Sequence, residues 1–365
     1  MNWSCRDMWK IYKRPLELLL VGVSFLVLSD IYLEDLRLGF ASGTPGIFYG
    51  EFILGAAPLI FYLFFWKRKR QSSEEDTYVS FLRFSFGYLW VFDAFLQMQP
   101  GMNEYFAVAV ISPNVSAGGI AGYLAASAFK LWNLHPMVFD VAASLFQLYI
   151  GVILLTRNSG KIFLLTQIFA IFWGIIIWSF GEGFGGVVSS GSTILTGFPG
   201  SALIYVYASS ILFLATKHGI RRLRTSSQIV GALIFIPALL AQLIPSNGYF
   251  WNMPRIYMPM PSLLGTLNFA NNFQYYFTHS LVFPDVITVS LISISAVGWL
   301  LGKAFGYISS SVLAAFSWVI FEGMGFLGIL STDPNTGLPL LLISVFFYLQ
   351  MKNLEHDRQA LLNVP

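Results

Sequence analysis

The stretch "KIFLLTQIFAIFWGIIIWSFGEGFGG", Lys161–Gly186, decides how this chain folds. From Ile162 to Gly181 it carries no charge, and a run of about 20 apolar residues is the length an α-helix needs to cross the hydrocarbon core of a bilayer. A carboxylate, Glu182, then appears among Gly181, Gly183, Gly185 and Gly186, residues that interrupt helix and accept left-handed backbone. A related stretch, "WVIFEGMGF" at 318–326, closes a second apolar run with Glu322, Gly323 and Gly325.

The rest of the chain has the same character. Apolar residues make up 56% of its 365 positions, charged residues 11%, and mean hydropathy is +0.67, whereas soluble domains carry about 25% charged residues. The composition specifies an integral membrane protein whose first partner is the lipid bilayer. One cysteine, Cys5, excludes an intrachain disulfide framework and a CxxC metal site. No basic, aromatic-interleaved domain lies outside the apolar runs, which argues against nucleic acid. The N-terminus is basic and then apolar, but no small-residue cleavage site comes after it, so it reads as an uncleaved first span.

Ten apolar segments have spanning length: 16–33, 47–66, 79–97, 136–155, 162–181, 200–216, 228–245, 282–301, 305–325 and 338–351. The sixth and tenth are short. Of 21 Lys and Arg residues, 17 fall in one alternate set of connections and ends, and Arg83 lies near the same side within its span; Arg37, Lys130 and Arg255 fall in the other set. The positive-inside rule makes the first set cytoplasmic, which predicts a multi-pass protein of the cell membrane with both termini inside. The outer connections are the long ones, and those at 98–135 and 246–281 are amphipathic in places, as segments at an interface or dipping into the membrane are.

An internal repeat is legible. Trp178, Glu182, Gly183 and Gly185 recur with the same spacing as Trp318, Glu322, Gly323 and Gly325, and "TGFP" (Thr196, Gly197, Pro199) recurs as "TGLP" (Thr336, Gly337, Pro339). Gln97, Pro100 and Asp140 match Gln242, Pro245 and Asp285, and the change of offset between the two sets falls in one inner loop. The expectation is an all-α polytopic bundle: an N-terminal two-helix segment over 1–78, then parallel four-helix units over 79–224 and 225–365.

Ionisable groups in a membrane are costly and mark functional or bracing roles. Glu182 and Glu322 are candidates for proton or substrate contact; equally, each carboxylate suits the backbone amides of the irregular segment beyond it. Asp93, Gln97 and Gly101 stand at i, i+4 and i+8, a polar stripe that either joins helices or hydrogen-bonds a quinone or polar solute, and Gln99 beside them is a further candidate. Asp140 and Asp285 near the starts of their helices suit the helix dipole. His135 and His279, one per unit, could ligate a haem or, with Met98, Met102, Met137, Met253, Met258 and Met260, a copper ion, but no CxxCH, HxxxH or MxxM pattern accompanies them. No hydrolase constellation, Walker motif or GxGxxG appears.

The unit running from "FGYLWVFDAFLQMQPGM" through "HPMVFDVAASLFQLYIGVILLTRNSGK" into an aromatic helix resembles the DoxX/DoxD-like membrane unit. That resemblance implies quinone-linked electron transfer at the outer face, or a membrane subunit supporting a respiratory redox complex, with quinone as the implied cofactor. The duplication and "GEGFGG" depart from a single-unit member. A proton-coupled carrier of a small solute or ion using the paired glutamates, and a structural subunit of a larger complex, remain beside it.

Overall fold

A computed structural model describes residues 77–99, 101–187, 193–218, 223–243, 269–280, 283–322 and 331–362. The expected first two spans, Pro100, Gly323 and Gly325 lie outside the described residues, among which every regular element is helical. The long elements are α1 (Thr77–Gln97), α2 (Gly119–Trp132), α3 (Pro136–Thr156), α4 (Lys161–Ile176), α5 (Ser201–His218), α6 (Leu223–Leu243), α7 (Phe269–His279), α8 (Phe283–Leu301), α9 (Ala304–Phe316) and α10 (Gly337–Leu362).

Seven of these helices, with the turns that extend them, are long and apolar enough to cross a membrane, and α5 is a shorter apolar helix. They fall on eight of the ten expected segments, because spanning length and lack of charge are local properties of the sequence. Their exposed faces are apolar: Ile162, Leu165, Ile168, Phe172 and Ile175 run along α4, and Ile229, Leu233, Ile236 and Leu240 along α6. Stripes of this kind suit contact with lipid. The chain is a multi-pass helical membrane protein.

Within the bundle, α1 packs along α3, α4 along α5, α6 along α8, and α9 along α10, while α10 also meets α1 and α5. One apolar core runs through these helices. Tyr205 of α5 meets Phe86 and Trp90 of α1 edge-on at 5.3 and 4.7 Å, and Trp299 of α8 sits 5.1 Å from Phe347 of α10. Tyr78 and Phe346, 5.9 Å apart, join the two halves. Where water supplies no force between helices, interlocked shape and hydrogen bonds hold them. Buried Arg83 accordingly donates to the Leu154 carbonyl at 2.5 Å, tying α1 to α3.

The long connection 98–135 is helical for most of its length. Short turns at Met102–Phe106, Ala107–Ile111 and Ser112–Val115 lead into α2, whose Ile120, Tyr123 and Leu131 are exposed. Pro136 starts α3 at its first turn with His135 in the capping position, where the missing proline N–H costs nothing. Asp285 lies in the first turn of α8, as the helix dipole favours. Asp140 does not lie in the first turn of α3; a hydrogen bond from α1 fixes it instead.

Candidate functional site

The site begins with how α4 ends. Its last turn widens over Ile177–Gly181, so that the Glu182 amide bonds the Ile177 carbonyl at 2.9 Å. The same widening over Ser317–Phe321 sets the Glu322 amide on the Ser317 carbonyl, also at 2.9 Å. Such π-turns admit an extra residue and redirect the chain beyond them. Each glutamate is thereby turned back onto the start of the next helix.

Glu182 Oε1 accepts from Ser201 Oγ at 2.6 Å and from the Ala202 amide at 3.1 Å, at the N-terminus of α5. Glu322 Oε2 accepts from the Gly337 amide at 2.8 Å, at the N-terminus of α10, and its Oε1 accepts from Ser317 Oγ at 2.9 Å. Both carboxylates do the backbone-satisfying task expected of them, where helix amides and dipole favour negative charge. Two glycines make the first closure possible. A Cβ on Gly200 would collide with Glu182 Oε2, and one on Gly185 would collide with the Pro199 carbonyl, with φ at +100° and +56°. Trp178 Nε1 donates to that same Pro199 carbonyl at 2.8 Å, and Asn114 Nδ2 donates to the Gly181 carbonyl at 2.7 Å, pinning the connection over the turn. Gly183 lies against Asn114, and Gly186 borders the polar pocket beside it.

The two glutamates then part company. Glu182 borders two cavities, whereas Glu322 is buried and borders neither. The first cavity, about 400 Å³, lies among α1, α2, α3, α4 and α5. Its walls are aromatic: Trp90, Phe106, Trp132, Phe139, Trp173 and Phe180. At its polar side stand Asp93, Gln97, Gln147, Tyr205, Glu182 and Asp333. The second pocket, about 650 Å³, is polar and is lined by Asn114, Thr196, Gly197, Asn335 and Thr336 among others. Gly181, Glu182, Ser201, Thr332 and Asp333 line both, so the two spaces meet at this carboxylate pair.

Burial, first, and the neighbouring Asp333 charge, second, push the Glu182 carboxyl up to about 7, against the pull of its Ser201 and Ala202 donors. Burial also raises Asp333, whose Oδ1 accepts from the Asn335 amide at 2.6 Å in a tight turn. Burial raises Glu322 to about 8 despite its donors. Among the described residues, no lysine, arginine or histidine lines either space. Two acids side by side in a low-dielectric setting without a cation each hold a proton more tightly than in water.

Several buried polar atoms around the first cavity have no protein partner within hydrogen-bond geometry: Asp93 Oδ1, Gln147 Oε1, Tyr205 Oη and the indole nitrogens of Trp90, Trp132 and Trp173. The Tyr205 hydroxyl is turned towards the Asp93 carboxyl, so these two groups answer each other across α1 and α5. Buried polar groups are nearly always hydrogen-bonded, so these orphans, all on residues that line one cavity, set its wall apart from the rest of the core. Gln97 Nε2 donates to Asp140 Oδ1 at 2.5 Å, placing Asp140 behind the wall, and Asp140 Oδ2 is also without a partner.

The remaining candidates brace the bundle. Gln99 Nε2 donates to the Ser331 carbonyl at 2.8 Å, Thr336 Oγ1 to the Gly197 carbonyl at 2.6 Å, and Thr193 Oγ1 to Gln242 Oε1 at 2.6 Å. These bonds interlock the loops of one half with the other. Pro339 lies in the first turn of α10, and Asp285 is buried in α8 with Oδ1 unpaired. His135 and His279 are exposed, and neither borders a cavity; the His279 ring stacks on Tyr275 at 4.2 Å. Among the described residues, no group of three or more His, Cys, Asp or Glu is placed to hold a metal ion.

Asp333, Ser201, Tyr205 and Gln147 belong to the site although no sequence pattern singles them out. Asp333 sits in "STDPNTG", whose local chemistry is that of a turn, and nothing nearby in sequence signals that it faces Glu182. Comparison with protein-family models, curated proteins and solved structures finds no match for the chain, so its function is argued from this site.

Proposed function

We propose that the chain is a proton-linked membrane carrier of an amphipathic small molecule, which occupies the aromatic cavity and meets protons at Glu182 and Asp333. The observation that carries this reading is the aromatic-walled cavity that shares Glu182 and Asp333 with a polar pocket. A cavity of about 400 Å³ has the size of small-molecule sites and their usual mix of apolar walls and few polar groups. A carboxyl near 7 exchanges protons readily at physiological pH.

The architecture behind it is two parallel four-helix units, over 79–224 and 225–365, after an N-terminal pair over 1–78. That makes ten spans, with both termini cytoplasmic and the polar pocket on the outer side of the cell membrane. The matching π-turns and carboxylate caps support the duplication, and the basic residues at the other end of the bundle support the orientation. In this reading the first unit keeps the working site and the second mainly supplies Asp333 and bracing.

A second reading, a quinone-binding subunit of a respiratory complex, rests on the DoxX-like resemblance and is favoured by the aromatic walls of the cavity, which suit a quinone ring. One experiment separates these. Protein purified in mild detergent is extracted and the extract analysed for small molecules, beside an Ala128→Phe variant that fills the cavity from α2. A molecule retained by the parent and lost from the variant supports the site, and its identity as quinone or not chooses between readings. Identical extracts from both proteins refute the site.

A further inference from the structure

The chemistry of the cavity also indicates what kind of molecule it takes. Three carboxylates, Asp93, Glu182 and Asp333, border one space of about 400 Å³, and among the described residues no cationic side chain borders it with them. They come from α1, from the turn after α4 and from the segment before α10, so the cluster is assembled across the whole fold. Asp93 is 2% exposed, with the Tyr205 hydroxyl turned towards it. Gln147 of α3 also lines the cavity, and its buried Oε1 has no partner. Six aromatic rings line the same space, of which Phe106, Trp132 and Phe139 form a continuous run with centroids 4.1 and 6.0 Å apart. Ring faces and carboxylates attract positive charge alike, and buried carboxylates gathered without a cation are costly until something positive or a proton joins them.

We infer that the cavity's ligand is a lipophilic organic cation, a molecule with a single positive centre among apolar rings or chains, its charge beside Asp93, Glu182 and Asp333 and its apolar body against the aromatic wall. The inference rests on the proposed binding site and names its substrate class. A cation and a proton compete for the same carboxylates, which gives the carrier its coupling: the cation binds as a proton leaves to the polar pocket, and reprotonation expels it. The ionisable groups bordering the cavity are Asp93 on α1, Tyr205 on α5, Glu182 and Asp333; the lining residues of α2 and α3 contribute none.

The test uses the full chain in lipid nanodiscs, with the tryptophan fluorescence of Trp90, Trp132 and Trp173 as the signal. The probes are tetraphenylphosphonium as the cation and decyl-benzoquinone as an uncharged apolar molecule. The expected result is saturable quenching by tetraphenylphosphonium at pH 8 that weakens about tenfold per pH unit below 7, whereas any binding of the neutral probe is independent of pH. The double variant Glu182→Gln, Asp333→Asn is expected to bind the cation at least about tenfold more weakly at pH 8 and to lose the pH dependence. If the neutral probe binds saturably and the cation does not, the substrate class is wrong and the site stands. If cation binding is unaffected by pH in the parent protein, the carboxylates are not what holds it and the inference fails. If neither probe binds at any pH, the inference and the proposed site fall together.

Discussion

Replacing Glu182 by glutamine tests whether the carboxylate pair handles protons. A glutamate in ordinary surroundings loses its proton at 4.5, and here burial and Asp333 raise Glu182 to about 7. At pH 6 the group is then about nine-tenths protonated, and at pH 8 about one-tenth. The shift corresponds to on the order of 3 kcal/mol in favour of the protonated form, reduced by whatever water from the polar pocket screens the half-buried carboxyl. Because the folded state raises the value, the protein binds this proton more tightly folded than unfolded. The stability it contributes is complete below 4.5, declines as pH rises and is gone above about 7. Infrared titration of the carboxyl C=O stretch between about pH 5 and 9 should show a protonated band that disappears with a midpoint near 7. In Glu182→Gln that component should be missing, and Asp333, relieved of a neighbouring charge, should titrate lower. A spectrum unchanged by the substitution, or no protonated band at pH 6, would refute the idea that these acids share a desolvated site.

Other outcomes come from the same geometry. Glu322→Gln should leave the cavity intact and remove a stability loss that the parent protein shows as pH rises from 4.5 towards 8, readable as melting temperature against pH. Gly185→Ala should destabilise by several kcal/mol, since its Cβ would collide with the Pro199 oxygen at a left-handed φ; a melting temperature equal to the parent's would overturn that packing. Gln97→Leu deprives buried Asp140 of its 2.5 Å donor and should cost about 1–3 kcal/mol, with Gln97→Leu, Asp140→Leu recovering part of it in a double-mutant cycle. Thr336→Val breaks the 2.6 Å bond to Gly197 and should cost about 1 kcal/mol in thermal denaturation.

The sequence by itself determined the membrane class and the positions of the spans. Charge-free runs of spanning length are forced into helix by the need to pair every backbone group inside a bilayer, and that constraint acts within each segment. Hence α3 starts at Pro136, where the expected span began, and α5 is as short as its apolar run. The sequence also marked Glu182 and Glu322 as alike, and locally they are: each stands just after a π-turn and caps the next helix.

Only the tertiary structure decided that they differ in use. Glu182 opens onto two cavities because Asp333, distant in the chain, folds over it and because Asp93, Gln147 and Tyr205 converge from α1, α3 and α5. No periodicity in any one of these segments encodes the others. A cavity is the space left after distant helices have packed, and a carboxyl's proton affinity depends on its burial and on the charges that reach it. Neither is a property of a residue's neighbours in sequence.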